Sequence, residues 1–338
     1  MARQHAASVL AAALVFGILA SIPAEVRSIG VCYGVKGDHL HMPSASDVVK
    51  LYVSRGITGM RIYEANAETL AALDGTGIDL IVDVPNHQVA KMAYCPCAAS
   101  KWVQDYVVAY PGVSIRYIAV GNEVNGDEPL AQNILPAMQN MNAALSLAGF
   151  EQIKVSTAVQ SGVTTGYPPS HGTFSPERGA HMPPIALYLA KTGAPLLANV
   201  YPYFAYTGTP GIDIKYALFT SLGTVVQDDN GLAYQNLFDA MVDTFYAALQ
   251  SAGATDVGIV VSESGWPSAG ATAATVSNAQ AYNQGLIDHV SYGTPKVPQP
   301  LETYIFAMFN ENEKTGEETE KHFGLFNPDM SSAYDINF

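Results

Sequence analysis

Two glutamates stand at the ends of apolar runs of the kind that form buried β-strands. Glu123 ends the run that starts at Ile118, and Glu263 ends the run that starts at Ile259. Cleavage of a glycosidic bond needs such a pair, because one carboxylic acid protonates the leaving oxygen while the other carboxylate attacks the sugar or guides a water molecule. When the two carboxyl groups lie about 5–5.5 Å apart, the anomeric configuration is retained, and when they lie roughly 6.5–9.5 Å apart it is inverted. The residue pattern does not fix this distance, so both outcomes remain open.

The neighbours of these glutamates bear on whether they are catalytic or structural. A single glutamate after a strand more often caps a helix or pairs with a lysine. Here Asn122 precedes one glutamate and Trp266 follows the other, while Tyr201, Tyr203 and Phe204 form a separate aromatic cluster. Aromatic rings stack on the apolar faces of sugars, although any one of these rings is equally suited to a core. Taken together, these residues favour a catalytic, sugar-binding site.

A group of charged residues follows the last apolar run of the chain. It includes Glu311, Lys314 and Glu320. Charge runs usually form solvated surface. Because this one begins where the last predicted strand ends, both a solvated face and a contact with the site remain open for Glu311 and Lys314.

Eight short runs rich in apolar, β-branched or aromatic residues predict eight β-strands. They are Ile29–Gly34, Gly59–Glu64, Asp79–Pro85, Ile115–Glu123, Lys154–Gln160, Pro195–Tyr203, Ile259–Trp266 and Thr303–Glu311. Helical patterns between them include Ser44–Arg55, Leu130–Leu147, Pro183–Lys191, Gly231–Gln250 and Thr275–His289. This alternation predicts the α/β class, with a parallel sheet closed into a single-domain (β/α)8 TIM barrel over residues 29–338.

A barrel holds its catalytic residues at the carboxyl ends of its strands, so both glutamates should face the same rim. The alternative architecture is a doubly wound open sheet. It is disfavoured because the first run continues into Gly34-Val35-Lys36-Gly37, without the three-glycine loop of a dinucleotide site. The loop-like stretch Ser161–Pro184 is interpreted as an insertion between the fifth strand and its helix.

The first 28 residues have the pattern of a secretory signal peptide. Arg3 and His5 precede an apolar run over Ala6–Ala20, and a short polar stretch then reaches Ser28. The run is too short for a stable membrane-spanning helix. We expect cleavage after Ser28 and a secreted, extracellular protein.

Composition restricts the partners of the chain. With a net charge of −14, the chain lacks the basic surface that nucleic-acid binding requires, so no nucleic acid is expected as a partner. With 49% hydrophobic and 14% charged residues, the chain should instead form a compact core. No basic amphipathic segment or hydrophobic tail predicts a membrane partner, and we expect a monomer.

The three cysteines and the histidines suggest no other chemistry. Cys95 and Cys97 lack the spacing of a redox or zinc pair, and we expect no disulfide framework. Cys32 is predicted to be a buried free thiol. His39 and His41 are close in sequence but lack carboxylate or cysteine ligands nearby, which favours a surface loop over a metal site. Neither a zinc-protease helix nor a serine-nucleophile elbow is present.

These residues resemble a known family, the plant β-glucanases of glycoside hydrolase family 17. The resemblance covers nearly the whole chain after residue 28. It rests on Ile29-Gly30-Val31-Cys32-Tyr33-Gly34, Val120-Gly121-Asn122-Glu123-Val124, Ala198-Asn199-Val200-Tyr201-Pro202-Tyr203-Phe204, Ile259-Val260-Val261-Ser262-Glu263-Ser264-Gly265-Trp266-Pro267-Ser268, Phe306-Ala307-Met308-Phe309-Asn310-Glu311 and Phe323-Gly324-Leu325-Phe326.

The resemblance implies a retaining endohydrolase of β-glucan without a metal or organic cofactor. It assigns Glu263 as the nucleophile and Glu123 as the acid/base, with Asn122 at the sugar 2-hydroxyl and Tyr201 near the nucleophile. The full set of expected substrate-binding residues is Tyr33, Asn122, Tyr201, Tyr203, Phe204, Trp266, Phe309, Glu311, Lys314 and Glu320. The chain departs from the family pattern at Val35–His41 and at Met92–Cys97.

Three functions remain open within this resemblance. The Tyr203–Pro210 loop and the tail Gly324–Asp329 favour hydrolysis of 1,3-β-glucan, as in the pathogenesis-related members. Enzymes acting on 1,3;1,4-β-glucan share the framework and are the first alternative. A barrel that binds wall glucan without cutting it is the second, and the residues do not separate plant defence from wall remodelling.

Overall fold

The structure is a computed structural model that describes residues 29–34 and 42–338. The predicted signal peptide, the two histidines His39 and His41, and the departing loop Val35–His41 lie outside the described residues. Within the described part of the chain, no helix combines the length and the apolar character needed to cross a membrane.

In the described residues, eight parallel strands close into a barrel in which each strand pairs with its neighbours in chain order. We number the barrel strands β1 (Ile29–Tyr33), β2 (Gly59–Ile62), β3 (Asp79–Val84), β4 (Ser114–Asn122), β5 (Lys154–Gln160), β6 (Leu196–Asn199), β7 (Ile259–Ser264) and β8 (Thr303–Ile305). Closure is made by β1 and β8, where Ile29 pairs with Thr303 and Val31 with Ile305. The prediction of a (β/α)8 barrel is confirmed.

Helices connect these strands and cover the outside of the barrel. They are α1 (Ala45–Ser54), α2 (Ala67–Leu73), α3 (Asn86–Tyr94), α4 (Pro96–Val103), α5 (Ala131–Ala148), α6 (Met182–Thr192), α7 (Pro202–Gly208), α8 (Ile214–Ala217), α9 (Leu237–Ser251) and α10 (Val276–His289). Polar side chains start several of them: Ser44, Asn66, Asn236 and Thr275 each accept a hydrogen bond from an amide of the first turn.

One predicted helix starts later than its pattern suggested. The helical pattern over Gly231–Gln250 gives a helix only from Leu237. Near the start of the predicted pattern, residues 233–234 instead pair with residues 226–227 in a two-stranded antiparallel ribbon. Asn236 then caps the helix that follows. A strong N-cap fixes a helix start more firmly than apolar spacing does.

Two hydrophobic clusters fill the molecule. The larger lies between the barrel and its helices, and the smaller fills the barrel interior around Ile81, Leu197, Val260 and Tyr304. At the amino-terminal end of the barrel, Gly30 leaves the space that the Tyr304 ring occupies, since a side chain there would collide with it. The interior is therefore packed and gives the opposite rim a rigid base.

The segment between β5 and α6 makes an excursion on the carboxyl side of the barrel. Residues 164–165 pair antiparallel with 173–174, and this hairpin and the turn between its strands lie against α9. The excursion thus packs on the barrel's own helices, as expected for an inserted loop.

The cysteines require one correction. We expected no disulfide framework, but Cys95 and Cys97 form a disulfide at the junction of α3 and α4. The bend between the helices brings their Cα atoms to 5.1 Å, within bonding range, which residue spacing alone did not reveal. Cys32 is a buried free thiol, as predicted.

Candidate active site

A cavity of about 670 Å³ opens at the carboxyl ends of the barrel strands. Both predicted catalytic glutamates line it: Glu123 directly follows β4, and Glu263 lies near the end of β7. Parallel strands bring residues far apart in sequence to one rim, so the expectation that both glutamates face the same space agrees with the structure.

Glu263 is 6% exposed, and both of its carboxylate oxygens are held by donors. Oε1 accepts from Arg61 Nη1 at 2.9 Å and from the Tyr63 hydroxyl at 2.8 Å. Oε2 accepts from the Tyr201 hydroxyl at 2.6 Å. Three donors around one carboxylate fix its orientation.

Arg61 is fully buried inside the barrel and organises these contacts. It bonds both oxygens of Asp83, through Nε at 3.2 Å and Nη2 at 2.8 Å. Burial opposes its charge, but the carboxylates of Asp83 and Glu263 more than offset this and hold its pKa well above the ordinary value. A buried arginine between two carboxylates gives a rigid, charge-assisted base for Glu263.

Sequence reasoning missed Arg61, Asp83 and Tyr63. A signal was available, because Arg61 lies in the strand candidate Gly59–Glu64 and Asp83 in Asp79–Pro85. A charged residue in a strand buried on both faces must be paired or placed at a site.

Two asparagine side chains connect the carboxylates. Asn199 donates from Nδ2 to Glu123 Oε1 at 2.9 Å and to Asn122 Oδ1 at 3.1 Å. Its Oδ1 accepts from Arg61 Nη1 at 3.1 Å and from the Ser262 hydroxyl at 2.8 Å. Asn199 therefore has its hydrogen-bonding capacity filled within the site and holds Glu123 and Arg61 in a fixed relation.

Glu123 has an unusual backbone and an altered acidity. Its φ of 55° lies in the left-handed region, a conformation that costs an L-residue about 1–2 kcal/mol. The turn is fixed by its amide, which donates to the Ala158 carbonyl at 2.9 Å. Burial, and then the negative charge of Glu263, raise the pKa of Glu123 to about 6, although the hydrogen bond from Asn199 lowers it.

The charged group after β8 reaches the cavity. Lys314 Nζ lies 3.3 Å from Glu311 Oε2 and 2.9 Å from Glu320 Oε2, and all three residues line the cavity. The Lys314 ammonium also lies 4.5 Å from the centre of the Phe306 ring. Of the two interpretations left open for this run, contact with the site is the one that agrees with the structure.

The predicted aromatic residues divide into two groups. Tyr201 and Phe204 line the cavity, and Phe204 is 44% exposed, which suits stacking on a sugar. The rest of the expected aromatic set is almost fully buried and does not line this cavity, namely Tyr33, Tyr203, Trp266 and Phe309. Contact of these four residues with the substrate stays a prediction, and their burial favours support of the site over stacking on a sugar.

The buried rings support the site from behind. Tyr33 packs edge-on against Phe309, and Trp266 packs against Tyr203 and donates from Nε1 to the Ala273 carbonyl at 2.9 Å. Chemically, the cavity combines a carboxyl group with a raised pKa and a carboxylate held by three donors. Two carboxyl groups whose environments differ in this way are suited to acid/base and nucleophilic roles in one reaction.

Comparison with known proteins supports this interpretation. The model of the glycosyl hydrolases family 17 matches residues 29–338. A maize protein named glucan endo-1,3-beta-glucosidase, acidic isoform, is 63% identical over the whole of both chains, and a barley protein named Lichenase-2 is 49% identical over 94% of this chain and all of its own. The structure of CJP38, a beta-1,3-glucanase and pollen allergen of Cryptomeria japonica, superposes with a TM-score of 0.88 at 46% identity, covering 92% of this chain and 99% of that one.

Proposed function

The chain belongs to family 17 of the glycosyl hydrolases and is a glycoside hydrolase, and from this premise we propose that it cleaves internal 1,3-β-D-glucosidic bonds of β-glucan with retention. The observation that carries the mechanism is the pairing of two unlike carboxyl groups in one cavity. Glu123 has its pKa raised to about 6, whereas both oxygens of Glu263 accept hydrogen bonds.

In the first step, Glu263 attacks the anomeric carbon while Glu123 donates its proton to the departing glucosidic oxygen. The bond between the anomeric carbon and that oxygen breaks, and a glucosyl ester of Glu263 forms. In the second step, Glu123 takes a proton from water, and the resulting hydroxide equivalent displaces Glu263 from the same carbon. Two inversions at one carbon give net retention.

The surrounding residues orient the nucleophile, and the pKa of Glu123 depends on the charge of Glu263. Arg61, Tyr63 and Tyr201 hold Glu263 in one rotamer with its oxygens directed by fixed donors. When the ester forms, the negative charge of Glu263 disappears. Because that charge raises the pKa of Glu123, its loss lowers the pKa and favours the base form that the second step needs.

The 1,3 linkage is supported by the graded similarity to named relatives. Identity is 63% to the maize 1,3-glucosidase over the whole chain and 49% to the barley lichenase. The stretch Tyr203–Pro210, which includes most of α7 and the cavity-lining Phe204, also favours it. Hydrolysis of 1,3;1,4-β-glucan is kept as the second candidate because such enzymes share the framework. A non-catalytic binder is not supported, since the chain belongs to a family of hydrolases.

Substrate and stereochemistry can be tested together. We expect faster release of reducing ends from an unbranched 1,3-β-glucan than from a mixed-linkage 1,3;1,4-β-glucan, with oligosaccharides as the early products. Proton NMR of those products in the first minutes should show the β-anomer before mutarotation. An α-anomer would contradict the double displacement, and a preference for mixed-linkage glucan would transfer the proposal to the second candidate.

The proposed setting is extracellular, and the partner is the glucan alone, bound by a monomer. The extracellular setting rests on the signal-peptide pattern of residues 1–28. When the full chain is expressed in a eukaryotic secretory host, the protein in the medium should begin at Ile29 by N-terminal sequencing. Retention of Met1 in cell-associated protein would contradict the proposal.

A further inference from the structure

The strand that carries Glu263 is irregular at the residue before it. The register of β7 with both of its neighbouring strands shifts after Val261, which is the effect of a β-bulge. Bulges re-aim side chains and are common beside active sites. Ser262 is fully buried, and its hydroxyl donates to Asn199 Oδ1 at 2.8 Å, while Glu263 accepts from Arg61. Two consecutive side chains of β7 therefore reach one network, which the regular alternation of a strand does not allow.

Two donors fix the orientation of the Asn199 amide. Its Oδ1 accepts from Arg61 Nη1 at 3.1 Å and from the Ser262 hydroxyl. Because a guanidinium group has only donors, the amide atom that faces Arg61 must be the oxygen. The amide nitrogen points the other way and donates its two hydrogens to Asn122 Oδ1 and Glu123 Oε1. The amide cannot be reversed without placing its nitrogen against the Arg61 donor.

The hydrogen bond from Asn199 bears on which oxygen of Glu123 carries the proton. A protonated carboxyl group has one O–H donor and one carbonyl oxygen, and the carbonyl oxygen is the better acceptor. Oε1 of Glu123 accepts from the neutral amide at 2.9 Å, so it takes the carbonyl role in the acid form. The proton then lies on Oε2, which has no hydrogen-bond partner among the described residues.

Resting on the proposed function, we propose that Asn199 is a positioning residue that places the acid proton of Glu123 on Oε2, and that Ser262 holds the Asn199 amide in the required orientation. With the amide reversed, its oxygen would face Glu123 and draw the proton to Oε1. The proton would then be shared with Asn199 and not delivered to the departing glucosidic oxygen. Ser262 is fully buried, so it acts on the acid through Asn199 and not through contact with the substrate.

Asn199→Asp tests this placement with almost no change in side-chain size. The variant has a carboxylate in place of the amide donor, and the two neighbouring carboxyl groups share one proton through Oε1 of Glu123. We expect kcat/KM on 1,3-β-glucan to fall by about 10²-fold, the lower end of the usual contribution of general acid catalysis. A glucan oligosaccharide with a dinitrophenyl leaving group needs no proton in the first step, so its kcat/KM should fall by less than about tenfold.

The pH profile of Asn199→Asp gives a second readout. The charged groups that act on Glu123 are the carboxylates of Glu263 and Glu320, which raise its pKa, and the guanidinium of Arg61, which lowers it. The variant loses the hydrogen bond from Asn199, which also lowers the pKa of Glu123, and gains a negative charge in its place. The alkaline limb of kcat/KM on glucan should therefore move to higher pH, which a merely structural disturbance would not produce.

Ser262→Ala removes one of the two donors to the Asn199 oxygen without adding a charge. Arg61 still holds that oxygen, so we expect a roughly fivefold loss of kcat/KM on glucan, the scale of one neutral hydrogen bond. The dinitrophenyl substrate should show no loss. Ser156→Ala is the matched control, because Ser156 is a fully buried serine of β5 whose hydroxyl donates to the Pro195 carbonyl at 2.7 Å. It should leave kcat/KM on both substrates unchanged.

Equal losses on glucan and on the dinitrophenyl substrate would show a general disturbance of the cavity and overturn the inference. Unchanged hydrolysis of glucan by Ser262→Ala would also overturn it. If Asn199→Asp does not fold, the comparison of Ser262→Ala with Ser156→Ala decides on the same criterion. An unmodified enzyme that does not hydrolyse 1,3-β-glucan would instead mean that the proposed function has failed, and this result is distinct from any difference between the variants.

Discussion

Glu263→Gln should lower kcat on 1,3-β-glucan by at least about four orders of magnitude, the scale seen when a covalent nucleophile is removed. The amide is nearly the same size as the carboxylate but carries no charge and cannot attack the anomeric carbon. Its oxygen can still accept from Arg61 and Tyr63, so the cavity should keep its shape. Initial rates of reducing-end release measure the loss, and calorimetry with an oligosaccharide measures retained binding.

The variant should fold, because Arg61 keeps its two hydrogen bonds to Asp83 when the charge of Glu263 is removed. We expect a loss of about 1–3 kcal/mol in the free energy of unfolding, the range for weakening one buried charged contact. Glu320→Gln is the matched control, since it makes the same change on a carboxylate in the same cavity that pairs with Lys314. It should cost less than about tenfold in kcat, because the loss of one partly exposed ion pair is a small effect. A Glu263→Gln enzyme with more than one percent of normal kcat would contradict the assignment.

Sequence patterns predicted the barrel because its signals are repeated and local. Each strand is a short apolar run buried on both faces, and helical patterns lie between most of the runs, so errors at single residues do not change the count. The positions of Glu123 and Glu263 followed from the same patterns, since each ends a strand. The patterns could not predict the side-chain network that gives the two carboxyl groups different environments.

The network was missed because it depends on pairing across the barrel interior. Arg61 on β2 reaches Asp83 on β3 and Glu263 on β7, and only closure of the sheet brings these strands around one space. The division of the aromatic residues between the cavity and the core was not predictable for a related reason. Trp266 and Tyr201 look alike in sequence, but one turns toward the helices and the other into the cavity, and a sequence records no direction after the strand ends.

The electrostatic arrangement explains why Glu123 can hold a proton in this cavity. Arg61 forms ion pairs with Glu263 and Asp83, so its positive charge is shared between two carboxylates. Among the described residues, Glu123 accepts its side-chain hydrogen bond from the neutral amide of Asn199. Burial then acts on Glu123 without a cation in contact to compensate, and its acidic form is favoured.

Glu123→Ala should lower kcat/KM on 1,3-β-glucan by about 10²–10⁴-fold, the usual contribution of general acid catalysis. A glucan oligosaccharide with a dinitrophenyl leaving group should lose far less in the first step, because that group departs without a proton. The second step still lacks its base, so the glucosyl ester should accumulate and a burst of dinitrophenol should appear. Azide should accelerate turnover and yield a β-glycosyl azide, since an anionic nucleophile needs no base.

The pH dependence of kcat/KM distinguishes a role of Glu123 as the acid from a merely structural role. The first step needs protonated Glu123, whose pKa is raised to about 6, so kcat/KM should be high below pH 6 and fall as the pH rises through that value. In Glu123→Ala, kcat/KM for the dinitrophenyl substrate should lose this alkaline limb while Glu263 remains able to attack. The azide product should keep the β-configuration, because the glucosyl ester is still made by Glu263. If the limb persisted in Glu123→Ala, or if both substrates lost activity equally, another group would have to be the acid.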